Sequence, residues 1–130
     1  MIRLEVGASS EDYLKAIFIL QKMMGTVRSA DVARYLNVSK PSVFYAVSTL
    51  RNNGFLHVDD QHFLLLTKAG RTIAENTFEK HKFFSAILIE AGVEPKTAEK
   101  EACRIEHTIS TESFQRLKQF IVDHINNDRF

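Results

Sequence analysis

The apolar residues of this chain recur mainly at helical spacing, and turn-forming residues divide them into segments. The first segment, Ser10 to Met24, carries apolar side chains three or four positions apart and predicts a helix with Ser9 as its cap. The second segment predicts a short helix from Ala30 to Leu36, capped by Ser29. The N-terminal part of the chain is therefore expected to be helical.

The following segments predict a third helix, a hairpin and three more helices. A helix from Lys40 to about Asn53 has Pro41 in its first turn, where the missing N–H costs nothing. Two short apolar runs, 55–58 and 63–66, predict a β-hairpin. The remaining apolar periodicity predicts helices over about 68–91, 95–109 and 111–125. We therefore expect a mainly α protein, with a winged helix-turn-helix domain over residues 1–70 and an all-helical domain over residues 71–130.

The stretch SADVARYLNVSKPSVFYAVSTL has the spacing of a helix-turn-helix. Ala33 is small where two helices must approach closely, and Asn37 follows at the turn position that favours a positive φ. Val43 comes six residues later and is expected to pack back against the first helix. The predicted hairpin then occupies the place of a wing.

In a helix-turn-helix the N-terminal residues of the second helix face the major groove of DNA. We therefore expect DNA contacts from the start of that helix and from one arginine before the motif: Arg28, Ser39, Lys40, Pro41, Ser42, Phe44 and Tyr45. Two alternatives remain at this point. The motif could be a helical hairpin packed for structure alone, and the two aromatic residues could belong to the core.

The composition of the chain indicates the cellular compartment of the protein more clearly than its function. The chain has 130 residues, is 45% hydrophobic and 25% charged, and has a net charge of +1, which neither requires nor excludes a nucleic-acid partner. One cysteine cannot form an internal disulfide. No apolar run approaches the roughly 20 residues of a membrane span, and the N-terminus lacks a signal-peptide core. We expect a soluble cytoplasmic protein without a membrane partner.

A second group of candidate residues is Cys103, Glu106 and His107. On a helix these positions project from one face, so a thiolate, a carboxylate and an imidazole surround one point. This is a donor set that divalent transition metals accept, although a Glu-His pair on a helix is more often a solvated face. His81 is a candidate fourth ligand, and Asp12 is a candidate fifth that would link the metal to the DNA-binding half.

These motifs resemble the diphtheria toxin repressor family of metal-dependent repressors, including its short manganese-responsive branch. The resemblance covers nearly the whole chain and is carried by SSEDYLKAIFIL, the helix-turn-helix, LTKAGRTIA, KHKFFSAILIEAGV and EACRIEHTIS, of which the last is the most specific. It implies a metal-dependent transcriptional repressor in a short form, without the C-terminal SH3-like domain of longer relatives. It also implies five metal ligands: Asp12, His81, Cys103, Glu106 and His107.

The departures from the family pattern affect the number and kind of metal ions. Asp12 matches the manganese branch and Cys103 the iron branch, whereas Lys15 replaces a glutamate ligand of the manganese branch. Ser85 stands where a second-site glutamate is usual, and Glu99 where the iron branch has a histidine. We therefore expect one well-formed site. The mixed donor set favours Fe²⁺ or Mn²⁺, with Zn²⁺ or Co²⁺ as alternatives.

The last predicted helix places Phe114, Leu117, Ile121 and Ile125 on one stripe. The stripe and the family resemblance together predict a homodimer, which would space two recognition helices for a palindromic operator. The alternative is that the stripe packs within the monomer.

Three other functions compete with a metal-dependent repressor. A winged-helix regulator could sense oxidation of Cys103, and a structural metal site could be permanently occupied. An enzyme using Cys103 and His107 as nucleophile and base would need an orienting partner and an oxyanion hole, which the sequence does not suggest. We expect no enzymatic activity and no small organic substrate.

Overall fold

The computed structural model describes residues 8–128, with side chains from 10 to 124. In chain order the described part contains α1 (Ala8–Met24), α2 (Ser29–Leu36), α3 (Lys40–Asn52), β1 (Leu56–Val58), β2 (Leu64–Leu66), α4 (Lys68–Glu90), α5 (Pro95–Ile105) and α6 (Thr111–Asp128). Two compact units divide between Thr77 and Phe78, inside α4, whereas the sequence placed the division after residue 70. None of the described helices has the length and hydrophobicity of a membrane span.

The first unit consists of α1–α3, the hairpin and the start of α4. Its core is formed by fully buried side chains from all three helices, among them Leu14, Ile17, Val32, Val43 and Leu50. The strands β1 and β2 are antiparallel, with Leu56 opposite Leu66 and Val58 opposite Leu64. Three helices followed by a hairpin form a winged helix-turn-helix, so the predicted fold class is confirmed for this half.

The turn between α2 and α3 follows from its residues. Asn37 has a φ of 56° and ends α2 in the left-handed conformation, as its side chain type predicts. The Ser39 hydroxyl then accepts a hydrogen bond from the Ser42 amide at 3.2 Å and caps α3. The prediction of Ser29 as the cap of α2 is wrong. Arg28 is the cap residue, and its amide donates to the Asp31 carboxylate at 2.9 Å.

The wing is attached to the rest of the first unit by hydrogen bonds. The Leu64 amide donates to the Val27 carbonyl at 2.8 Å, and the Gln21 side chain donates to the Leu64 carbonyl at 3.2 Å. At the start of α4, the Thr67 hydroxyl donates to the Gly54 carbonyl at 2.7 Å and accepts from the Gly70 amide at 3.1 Å. These contacts set the position of the wing relative to α1 and the end of α3.

The second unit packs the later part of α4 against α5 and α6. The Phe114 ring, 1% exposed, lies with its centroid 5.4 Å from that of Phe83 and 5.9 Å from that of Phe84. Lys80 is buried, and its ammonium donates a hydrogen bond to the Ile109 carbonyl at 2.9 Å. Phe114 is therefore a core residue of this unit, although the sequence predicted that Phe114 belongs to a dimer interface.

Helix α5 ends earlier than predicted, at Ile105 instead of Ile109. The amides of His107 and Thr108 bond to carbonyls three residues back, Arg104 and Ile105, at 3.3 and 3.0 Å. The Thr108 hydroxyl also donates to the Ile105 carbonyl at 3.1 Å. This tighter turn terminates the α-helical pattern, because the amide and the hydroxyl of Thr108 both bond to the Ile105 carbonyl.

Candidate metal centre and nucleic-acid interface

Cys103, Glu106 and His107 lie together at the C-terminal end of α5. Each offers a ligand atom, and these atoms lie within 4.8 Å of one another. Only Cys103 is inside the helix, so the prediction that all three share one helix is wrong in detail. The turn after Ile105 nevertheless continues helical backbone angles at Glu106, and the predicted spacing still converges.

The Glu106 carboxylate is the centre of this group. It is buried at 1% exposure, its Oε1 lies 2.8 Å from His81 Nδ1, and its Oε2 lies 3.3 Å from His107 Nε2. A buried carboxylate is unfavourable unless hydrogen-bond donors or cations surround it. Two imidazoles supply such contacts here.

His81 contacts a second carboxylate through its other ring nitrogen. Its Nε2 lies 2.7 Å from Glu99 Oε1, and the Ser85 hydroxyl donates to Glu99 Oε2 at 2.8 Å. Sequence reasoning treated Glu99 and Ser85 only as departures from a ligand pattern and missed this contact. The available signal was their spacing: Ser85 follows His81 by four residues on α4, and Glu99 precedes Cys103 by four on α5.

The donor set and its geometry fit a first-row transition metal ion. Bonds of about 2.0 to 2.3 Å place donor atoms on a shared ion roughly 3 to 4.6 Å apart. The separations among Cys103, Glu106 and His107 are close to that range. Thiolate, carboxylate and imidazole are ligands of borderline divalent ions. Asp12 lies on α1 of the first unit, and its role as a ligand stays a prediction.

The predicted DNA-contacting residues lie on the exposed N-terminal half of α3. Lys40, Pro41 and Ser42 are exposed, and the aromatic side chains of Phe44 and Tyr45 are 73% and 74% exposed. The alternative that these two aromatic residues belong to the core is therefore wrong. The exposed aromatic rings are suited to apolar contacts with bases. The neighbouring hydroxyl and lysine side chains are suited to hydrogen bonds with base edges and phosphates.

Arg28 lies apart from this cluster and contacts the wing. Its guanidinium carbon is 4.3 Å from the centre of the Phe63 ring, and its Nε donates to the Gln61 carbonyl at 3.3 Å. Arg28 thus holds the wing against the start of α2, a contact that sequence reasoning did not foresee.

A winged helix with an exposed recognition helix defines a class of DNA-binding proteins, and the second unit adds a donor cluster suited to a transition metal. Comparison with known proteins identifies the family. Residues 5–62 match the N-terminal DNA-binding domain of iron-dependent repressors, and residues 67–128 match their metal-binding and dimerisation domain. The chain belongs to the iron-dependent repressor family, which confirms the resemblance drawn from the sequence.

Individual relatives agree with this assignment. A helix-turn-helix transcriptional regulator of Methanocaldococcus jannaschii is 32% identical over 118 residues, covering 89% of this chain and 94% of the relative. The iron-dependent repressor IdeR of Mycobacterium tuberculosis is 32% identical, covering 87% and 50%. The structure of the manganese regulator SloR matches with a TM-score of 0.77 and 30% identity, covering 86% and 53%. The chain spans about half the length of IdeR and SloR. All three are named as regulators or repressors.

Proposed function

We propose that this protein is a metal-dependent transcriptional repressor that binds operator DNA as a homodimer when Fe²⁺ or Mn²⁺ occupies its metal site. The observation that carries the proposal is the convergence of Cys103, Glu106 and His107 within the part of the chain that matches a metal-binding and dimerisation domain. A cytoplasmic location follows from this function.

On the DNA side, the proposal assigns the contacts to the start of α3. Lys40 and the hydroxyls of Ser39 and Ser42 are suited to phosphates or base edges, while Pro41 and Phe44 are suited to the thymine methyl group. Tyr45 adds an exposed ring with a polar tip. Arg28 acts mainly by holding the wing, since its guanidinium already contacts Phe63 and Gln61.

On the metal side, the proposal names Asp12, His81, Cys103, Glu106 and His107 as ligands. A bound divalent ion would supply the positive charge that holds a thiolate, two carboxylates and two imidazoles at one point. On binding the ion, His81 would give up its contact with one carboxylate. Glu99, which accepts a hydrogen bond from Ser85, would keep the His81 ring oriented. Carboxylates together with a thiolate favour Fe²⁺, and the named relatives include an iron-dependent repressor and a manganese regulator.

Asp12 provides the coupling in this proposal. It lies on α1, the helix that supplies much of the core of the DNA-binding unit. A ligand contributed from α1 to an ion held by α4 and α5 favours the arrangement in which all ligands converge. In a homodimer this arrangement would set the spacing of the two recognition helices on the operator.

The proposed dimer uses α6 and the end of α4. With Phe114 assigned to the core, Leu117 and Ile121 remain as half-buried members of the predicted stripe, and the side chain of Ile125 lies outside the described residues. Two exposed apolar side chains, Phe120 on α6 and Ile89 at the end of α4, add to the surface that a partner subunit could cover.

The proposal is tested by DNA binding to a promoter library with Mn²⁺, Fe²⁺, Co²⁺ and Zn²⁺. Specific duplexes should be retained with metal and released by a chelator, and Cys103→Ala should need a higher metal concentration for the same binding. DNA binding that a chelator leaves unchanged and peroxide alters would overturn the proposal in favour of oxidation sensing at Cys103. Absence of any DNA binding would also overturn it.

A further inference from the structure

The second unit contains a cleft beside the proposed metal ligands, and two lysines line it. The residues that line this lysine cleft are His81, Lys96, Thr97, Glu99, Lys100 and Cys103. We propose that the lysine cleft binds the anionic chelate of a divalent metal ion with a small polycarboxylate, and that Cys103 receives the ion from this chelate. The inference rests on the proposed metal-dependent function and adds the form in which the metal arrives.

Lys96 and Lys100 differ from the other lysines of the second unit. Each of the others contacts a neighbour: Lys80 the Ile109 carbonyl, Lys82 the Phe78 ring and Lys118 the Glu79 carboxylate. Among the described residues, no hydrogen bond or ion pair involves the ammonium group of Lys96 or Lys100. The two lie four residues apart on α5, so like charges share one face of the helix and repel each other. An anion bound between them would remove this repulsion.

The Glu99 carboxylate compensates this positive charge only in part. Its Oε1 lies 2.7 Å from His81 Nε2, and its Oε2 accepts a hydrogen bond from the Ser85 hydroxyl at 2.8 Å. Both partners belong to α4, so the carboxylate is turned toward that helix. Two ammonium groups therefore line the cleft together with one carboxylate that is already bonded. The excess positive charge repels a free divalent cation and attracts an anion.

The same cleft leads to the donor atoms of the metal site. Cys103 lines it, and the ligand atoms of Cys103, Glu106 and His107 lie within 4.8 Å of one another. Cys103 is half-buried whereas Glu106 is 1% exposed, so the thiol is the more accessible of these two ligands. A positively charged cleft in front of a cation site is unfavourable for a bare ion. A carrier with negative charge removes this conflict.

The volume of the cleft, about 530 Å³, also suits a chelate. Six waters around a bare ion fill roughly 180 Å³, at about 30 Å³ per water. Pockets that hold small organic molecules measure about 300 to 1,000 Å³. The cleft therefore has room for an ion together with an organic chelator.

The proposed transfer is an exchange of ligands. Carboxylates of the chelator that are not bound to the ion would pair with Lys96 and Lys100. A bond between the ion and a chelator oxygen breaks, and a bond to Cys103 Sγ forms. The thiol proton passes to water, the freed carboxylate leaves with the chelator, and no electron is transferred.

The test measures how fast Co²⁺ loads the metal-free full chain, from the absorption of the cobalt–thiolate bond after rapid mixing. Free Co²⁺ is held constant while the concentration of cobalt citrate is raised. The loading rate should rise with the citrate complex, because the complex itself is the donor. A constant rate would show that only the bare ion loads the site and would overturn the proposal. Added KCl should slow loading from the citrate complex, since salt screens the attraction between opposite charges.

Lys96→Gln combined with Lys100→Gln removes both positive charges. Loading from cobalt citrate should slow about tenfold, at the lower end of electrostatic effects on association rates. Loading from Co²⁺ without chelator should not slow. The Co²⁺ affinity measured by calorimetry should stay unchanged, because neither lysine is a ligand. Lys96→Arg combined with Lys100→Arg keeps the charges and should load from cobalt citrate at the rate of the unaltered chain.

A matched control removes the same charge elsewhere. Lys22→Gln combined with Lys68→Gln changes two exposed lysines of the first unit and should load from cobalt citrate normally. An equal loss of rate in this control would assign the effect to the net charge of the protein and overturn the lysine cleft.

The remaining outcomes separate the cleft from the metal site. An unchanged rate from cobalt citrate after both lysines are replaced by glutamine overturns the lysine cleft alone. Slower loading from both sources of Co²⁺ shows that the lysines support the metal site itself, and the cleft is again overturned. Failure of the unaltered chain to bind Co²⁺ overturns the proposed function and the lysine cleft with it.

Discussion

Glu106 combines almost complete burial with contacts to two imidazoles. Its carboxylate reaches His81 through one oxygen and His107 through the other, at 2.8 and 3.3 Å. Removing an ionised carboxylate from water costs several kcal/mol unless partners replace the water. A cation shared with Cys103 and His107 would offset that cost further. The burial of Glu106 is thus unfavourable without a partner, and its position beside Cys103 and His107 suits it to hold the ion.

Replacing Glu106 by Gln keeps the shape of the side chain and removes its charge. We expect the affinity for Co²⁺, measured by calorimetry, to fall at least about a hundredfold, more than the loss typical of an outer-shell partner. Glu101→Gln, at an exposed position on α5, is the matched control and should leave the affinity unchanged. If both variants bind Co²⁺ equally well, Glu106 is not a ligand.

At the scale of elements, the junction between the end of α3, the wing and α4 depends on very close backbone approach. Gly70 is buried in the first turn of α4, and a β-carbon at this position would collide with the carbonyl oxygen of Phe55. Thr67 bonds to Gly54 on one side and caps α4 on the other. The motif LTKAGRTIA, noted in the sequence only as a resemblance, thereby has a physical explanation.

Gly70→Ala should destabilise the first unit, although alanine is the better helix former. A methyl group against a backbone carbonyl forces the chain to shift, and we expect a loss of about 2 to 3 kcal/mol in the free energy of unfolding. Urea unfolding followed by circular dichroism measures the loss. Ala69→Ser, one residue earlier and exposed, should change stability by no more than about 0.5 kcal/mol. Similar midpoints for the two variants would show that α4 approaches Phe55 less closely.

At the scale of the whole molecule, the proposed switch requires that one ion be bound by residues of both units. Cys103, Glu106, His107 and His81 all belong to the second unit, and Asp12 belongs to the first. Coupling between metal and DNA binding is a difference in free energy between two states, so it should depend on the ligand that the DNA-binding unit contributes.

Asp12→Ala should therefore separate metal binding from DNA binding. We expect Co²⁺ still to bind to the remaining ligands, while the metal-dependent gain in operator affinity falls from a typical coupling of about 5- to 150-fold toward none. Anisotropy titrations with and without metal measure this gain. The proposal would be refuted by an Asp12→Ala protein whose DNA binding keeps its full dependence on metal.

The sequence determined the features that depend on near neighbours in the chain. Helical periodicity and the left-handed turn at Asn37 are local properties that the sequence predicted correctly. Cys103, Glu106 and His107 converge as predicted although α5 ends at Ile105, because backbone geometry relates residues three or four positions apart. Errors at helix ends were small, since side-chain and backbone groups compete there for the same few hydrogen bonds.

Tertiary structure decided the features that depend on packing between distant segments. Phe114 became a core residue because Phe83 and Phe84 of α4 cover it, while Phe44 and Tyr45 stayed exposed on α3. The contact of Glu99 with His81 joins residues 18 positions apart. Helical spacing places Ser85 beside His81 and Glu99 beside Cys103, but only the packing of α4 against α5 brings Glu99 to His81. Burial and long-range hydrogen bonds are properties of the assembled fold, because they require surfaces that exist only after the helices have packed.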